Sequence, residues 1–136
     1  MNTGDGQRIA RLDSVTIDCH DPERLATFWA RVFGTAEEWR GGDPVQYIDL
    51  AETDGSPVIR FQRVPEPKTV KDRIHLDLRV DDIEGACRRV IELGGVRAEQ
   101  GDVREYDVTF RVMLDPEGNE FCLVSAEVPE ASGGDR

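Results

Sequence analysis

The sequence predicts an α+β domain of two βαβββ units whose curved mixed sheets form a concave pocket, and three observations carry that expectation. The first is an internal repeat. Ser14-Val-Thr-Ile-Asp-Cys-His-Asp21-Pro22 leads into ERLATFWARVFG, and His75-Leu-Asp-Leu-Arg-Val-Asp-Asp82-Ile83 leads into EGACRRVIELGG. The second is that both segments change from a two-residue to a helical apolar period at the acidic residue. The third is that each helix candidate ends at glycine and is followed by three short strand candidates separated by turn residues.

Each opening strand alternates. Val15, Ile17 and Cys19 oppose Ser14, Thr16 and Asp18 in the first half; Ile74, Leu76, Leu78 and Val80 oppose His75, Asp77 and Arg79 in the second. One face should pack on a helix while the other stays polar. Asp21 before Pro22, and Asp81 or Asp82 before Ile83, suit helix N-caps, since a carboxylate there accepts from otherwise unpaired amides. Leu25, Phe28, Trp29, Val32 and Phe33 form one apolar stripe, and Ile83, Ala86, Cys87, Val90, Ile91 and Leu93 the other. The stripes stop at Gly34 and Gly94-Gly95. The remaining strands are expected at 36–40, 45–50 and 58–64, then at 96–100, 108–114 and 120–124. Gly41-Gly42-Asp43-Pro44, Asp54-Gly55 and Asp115-Pro116-Glu117-Gly118-Asn119 supply the turns, and Pro65 to Lys68 a linker. The domain is expected over 9–126, its halves at 9–64 and 73–126, with mobile tails at 1–8 and 127–136.

Bulk properties narrow the partners. The chain has 136 residues, 38% hydrophobic and 33% charged, with a formal net charge of −11. That field repels phosphate backbones and anionic lipid surfaces, and no Lys/Arg cluster offsets it, so neither nucleic acid nor a membrane is expected as a partner. No apolar stretch is long enough for a span or a secretory signal, which makes the cytoplasm the expected location. Cys19, Cys87 and Cys122 are an odd set without CxxC spacing and read as free thiols.

In order and spacing, these segments resemble the vicinal oxygen chelate superfamily, the glyoxalase, bleomycin-resistance and dioxygenase group, and especially its small bacterial glyoxalase-like members. The carriers are Asp21-Pro22 with the helix ERLATFWARVFG, the strand His75-Leu-Asp-Leu-Arg-Val-Asp-Asp, and the turn Asp115-Pro-Glu-Gly-Asn-Glu-Phe. The resemblance implies a divalent ion held by one side chain from the first strand of each half and one from the last. Ser14 stands at the first of these positions, where His, Gln or Glu would be expected. His75 stands at the equivalent position of the second half and keeps a ligand type. Cys122 replaces the usual Glu of the last strand, and Arg60 or Gln62 occupies the remaining position. No metal cofactor is therefore expected; a divalent ion is disfavoured, with His75 the only strong candidate ligand.

Several polar side chains still converge on the expected cavity face. His75 suits a general base for a proton α to a carbonyl, a ligand contact or a metal donor, and Asp77 and Arg79 either orient it or pair with each other. Ser14, Thr16, Tyr47, Arg60, Gln62, Arg79 and Cys122 are the expected ligand-lining residues. His20 reads as a turn residue, and Trp39 as rim or dimer contact. The favoured reading is a glyoxalase-like protein that binds a small organic molecule over a degenerate metal site and sequesters it, holding it without turnover. A lyase or isomerase with His75 as base and Asp77 orienting it is the enzyme alternative. A homodimer is expected from the open sheet edges, and a dimeric interaction module is the third reading.

Overall fold

The computed structural model describes residues 8–126 of the chain. Residues 1–7 and 127–136, which make up nearly all of the two expected tails, lie outside the described residues. The chain divides into two compact units, one ending at Pro65 and the other beginning at Glu66.

The first unit runs β1 (Ser14–Cys19), α1 (Pro22–Phe33), β2 (Glu37–Gly41), β3 (Tyr47–Leu50) and β4 (Val58–Arg63). Its mixed sheet has the order β1-β4-β3-β2, with β1 and β4 parallel. Asp21 caps α1, its carboxylate accepting from the Arg24 amide at 3.1 Å, and Gly34 ends the helix at a φ of 69°. Leu25, Ala26, Phe28 and Trp29 are buried on α1, as are Ile48, Leu50 and Phe61 on the strands it packs against. Register then puts Ser14, Thr16 and Asp18, Arg60 and Gln62, and Tyr47 and Asp49 on the opposite face. The third strand starts at Tyr47 rather than at 45, because the Gln46 amide donates to the Gly41 carbonyl at 2.7 Å and belongs to the turn.

The second unit runs β5 (Leu76–Arg79), α2 (Ile83–Glu92), β6 (Val96–Arg97), β7 (Val103–Glu105), β8 (Val108–Leu114) and β9 (Glu120–Ala126). Its sheet has the order β5-β9-β8-β6, with β7 also on β8. The strand expected at 96–100 is only two residues long; the chain leaves β8 and returns as β7, so this unit carries one more strand than the repeat predicts. The opening strand is also shorter than its alternation suggests, and Ile74 is exposed instead of packed. Asp82 stands at the N-cap of α2 but makes no side-chain capping bond. Cys87 and Val90 of α2 and Met113, Phe121 and Leu123 of the sheet form this unit's buried core.

The turn between β8 and β9 is built on Asp115, which is 2% exposed. Its carboxylate accepts from the Glu117 and Asn119 amides at 2.9 and 3.0 Å and from Asn119 Nδ2 at 2.9 Å. Asp115→Ala would leave these donors short of their acceptor, and we expect a loss of about 2 kcal/mol in urea unfolding. Asp115→Asn, which keeps one acceptor oxygen, should lose less.

Candidate functional site

In the second unit, His75 immediately precedes β5 and Asp77 follows two residues later, so both side chains lie on one side of the strand. Parallel pairing sets Asp77 opposite Cys122 of β9, and antiparallel pairing sets Cys122 opposite Val112 of β8. His75 Nε2 lies 3.2 Å from Asp77 Oδ1. The donor atoms of His75, Asp77 and Cys122 all fall within 4.8 Å of one another. His75 and Asp77 are each about half exposed, whereas Cys122 is buried. Burial pushes the Cys122 thiol up, and the neighbouring Asp77 carboxylate adds to the rise by repulsion and by hydrogen bonding to the protonated form. Cys122 is thus a thiol, not a poised nucleophile.

The approach to β5 is braced from β9. The Asp72 amide donates to Glu120 Oε1 at 2.9 Å, the Glu120 amide returns a bond to Asp72 Oδ2 at 2.8 Å, and Lys71 Nζ pairs with Glu120 at 3.3 Å. These bonds anchor the segment that delivers His75. Arg79 lies two residues beyond Asp77 and pairs in register with Val124, which faces Phe110. The same face therefore grades from a titratable edge at His75, Asp77 and Arg79 to an apolar strip at Val112, Val124 and Phe110.

In the first unit, Arg60 makes a bidentate pair with Asp49, Nε to Oδ1 at 2.7 Å and Nη2 to Oδ2 at 2.9 Å. That bond, with the Asp49 charge behind it, raises the guanidinium pKa. Thr16 flanks Arg60, Trp39 flanks Asp49, and Tyr47 and Gln62 form the adjoining pair. Ser14 begins the row, half-buried, opposite Val58. Ser14, Thr16, Tyr47, Arg60 and Gln62 thus share one sheet face, while Arg79 and Cys122 share the other unit's. A separate hollow of about 420 Å3 is lined by His20, Gln46, Arg63, Val64 and Pro65. None of the residues chosen from the sequence as ligand-lining borders it, and His20, read there as a turn residue, does. Arg63 holds its rim, donating to the Val45 and His20 carbonyls at 2.8 and 2.9 Å.

The glyoxalase-like domain family matches residues 14–124. The chain belongs to that family. A glyoxalase/bleomycin resistance/dioxygenase family enzyme from Burkholderia phytofirmans shares 23% identity at a TM-score of 0.65, covering 86% of this chain and 99% of its own. A glyoxalase family protein from Bacillus cereus shares 16% at 0.66, covering 90% and 98%. A glyoxalase-related enzyme from Fulvimarina pelagi shares 16% at 0.65, covering 86% and 88%. At these identities the likeness is one of fold. No curated protein matches the chain.

The glyoxalase-like family implies a divalent ion, and the donors of this member do not fit its four-position set. Ser14 offers a hydroxyl, and Arg60 is a cation already committed to Asp49. Gln62 contributes at most a neutral amide oxygen, a weak donor beside a guanidinium. His75 remains, and Cys122 substitutes a thiol for a carboxylate. Asp77, which stands at none of the four positions, places a carboxylate oxygen within 4.8 Å of both.

Proposed function

We propose that this glyoxalase-like domain binds a small, partly apolar organic molecule carrying a polar or carbonyl group, and holds it without the four-donor ion of its family. The supporting observation is the graded face of the second unit, where His75, Asp77 and Arg79 border an apolar strip. Ligand sites are mostly apolar with a few placed polar groups, and this face has that composition. The first unit carries a polar row of its own, with Tyr47, Gln62 and the Arg60–Asp49 pair on one sheet face.

The test is a thermal-shift and calorimetric screen of the metal-free chain against dicarbonyls, CoA thioesters and aromatic antibiotics. At least one class should stabilise the wild type, and His75→Ala should weaken that class about tenfold or more, as expected for loss of a ligand-facing hydrogen bond. No shift from any class would overturn the reading and favour a module that binds only protein.

One observation favours a second reading. The 3.2 Å contact between His75 and Asp77 is the geometry of a base and its orienting carboxylate, which supports a lyase or isomerase that removes a proton α to a carbonyl. Solvent-deuterium exchange into a bound dicarbonyl, absent in His75→Ala, would distinguish turnover from simple binding.

A further inference from the structure

We infer that the second unit contains a metal site of its own, in which His75, Asp77 and Cys122 bind one thiophilic divalent cation of the zinc class. This differs from the family arrangement in two ways. All three donors belong to a single βαβββ-type unit, and one of them, Asp77, occupies a position with no part in the four-donor set. The inference does not rest on the organic-ligand reading, because it concerns only these side chains and the ion.

Zinc bonds of about 2.0–2.3 Å in a tetrahedron place neighbouring donors roughly 3.3–3.8 Å apart. His75 Nε2 and Asp77 Oδ1 stand at 3.2 Å, and Cys122 Sγ lies within 4.8 Å of the other donor atoms, so rotamer-scale adjustment closes the set. Two of the donors come from the start of one strand, and the third is fixed opposite Asp77 by the β5–β9 register. The donors are anchored in different ways. Cys122 is held in a buried strand, while His75 and Asp77 are half exposed and open a path for the ion.

Donor chemistry selects the metal. One imidazole nitrogen, one carboxylate oxygen and one thiolate suit zinc or cobalt(II), whereas magnesium and calcium require oxygen sets. Thiolate and carboxylate together neutralise the two charges of the ion. Binding exchanges the Cys122 S–H proton for a metal–sulfur bond, and that proton passes to solvent. Three protein donors leave a fourth position for water or a ligand oxygen.

The experiment uses the intact chain, stripped with chelator and kept reduced, with no organic ligand present. Equilibrium dialysis should give one Zn2+ or one Co2+ per chain, with Zn2+ displacing Co2+ and Mg2+ displacing neither. The Co2+ form should show a thiolate-to-metal charge-transfer band in the near ultraviolet. His75→Ala and Asp77→Asn should each weaken Zn2+ binding tenfold or more, and their exposed positions leave the far-ultraviolet circular dichroism unchanged. Cys122→Ser should abolish the band. Metal titration in weak buffer should release about one proton per ion, the one displaced from the Cys122 thiol. Binding without the band, equal competition by Mg2+, or stoichiometric tight binding that survives His75→Ala would each overturn the site. Failure here leaves the thermal-shift screen of the metal-free chain untouched, so the two ideas fall separately.

Discussion

Trp29→Ala should destabilise the protein by about 3–5 kcal/mol, the usual cost of emptying a large buried aromatic site. Trp29 is 2% exposed. It meets Phe28 edge-on, with ring centroids 5.2 Å apart, and stacks on Phe33 at 5.4 Å. The cavity would open between α1 and the strands bearing Ile48, Leu50 and Phe61, where neighbouring side chains are already close-packed and can relax only in part. Domains of this size are stable by only about 5–15 kcal/mol, so the variant should unfold at markedly lower urea concentration. Trp29→Phe retains a ring and should lose far less. A loss below about 1 kcal/mol for the alanine variant would show that α1 does not pack as described.

The second large effect concerns Arg111. Its side chain is 5% exposed, yet it donates to both Asp102, at 2.9 Å from Nε and from Nη2, and Glu84, at 3.0 and 2.9 Å. The paired variant Glu84→Ala/Asp102→Ala strands a buried guanidinium and should cost about 3 kcal/mol. Arg111→Met should cost less, because Glu84 and Asp102 are themselves partly exposed and water can solvate them once the cation is gone. The order of these two losses is the result to measure by urea unfolding. A greater loss for Arg111→Met would mean that the two carboxylates left without their cation cost more than the stranded guanidinium.

The same network sets a pH dependence. Hydrogen bonds from Arg111 hold both carboxyls below their ordinary range, with desolvation opposing the effect at each. A carboxyl whose native pKa is depressed contributes stability above its unfolded value of about 4, and that contribution disappears as pH falls through the lower native value. Wild-type stability should therefore decline from about pH 5 downward, and the decline should be shallower in Arg111→Met.

The network was hidden in the sequence. Arg111 sits in a strand of alternating pattern where its neighbours Phe110 and Val112 signalled β structure, and nothing marked an arginine there as buried. Its partners come from α2 and from the stretch before β7, which carried no strand signal. Tyr106 and Asp107 turn the chain between β7 and β8 with φ values of 54° and 63°. Hairpin turns of that kind normally display Asn-Gly or Asp-Gly, so the usual sequence cue was missing. By contrast β8 spans the residues its alternation predicted, and Asp21, Pro22 and Gly34 bound α1 as capping chemistry requires.

The candidate site was legible in its parts and not in its grouping. His75 and Asp77 could be assigned to one face because they are two apart on a strand. Cys122 could be assigned only by its spacing from the Asp115 turn, and spacing does not report distance to another strand. Parallel register brings the thiol to Asp77, a long-range fact fixed by which strands pair. Ser14 and Arg60 illustrate the reverse case. Their residue types are plain in the sequence, whereas the pairing of Arg60 with Asp49 depends on the register of β3 against β4.

The pairing of β5 with β9 also orders events during synthesis. A ribosome adding roughly 5–20 residues per second releases His75 and Asp77 several seconds before Cys122. In the interval the nascent second unit has its first strand and helix but lacks the central strand that both β5 and β8 require as neighbour. Chains cut short before Glu120 would retain every element of the first unit and two of the three clustered donors, yet could not assemble the cluster. Translational pausing or proteolysis in that region would separate possession of the residues from possession of the site.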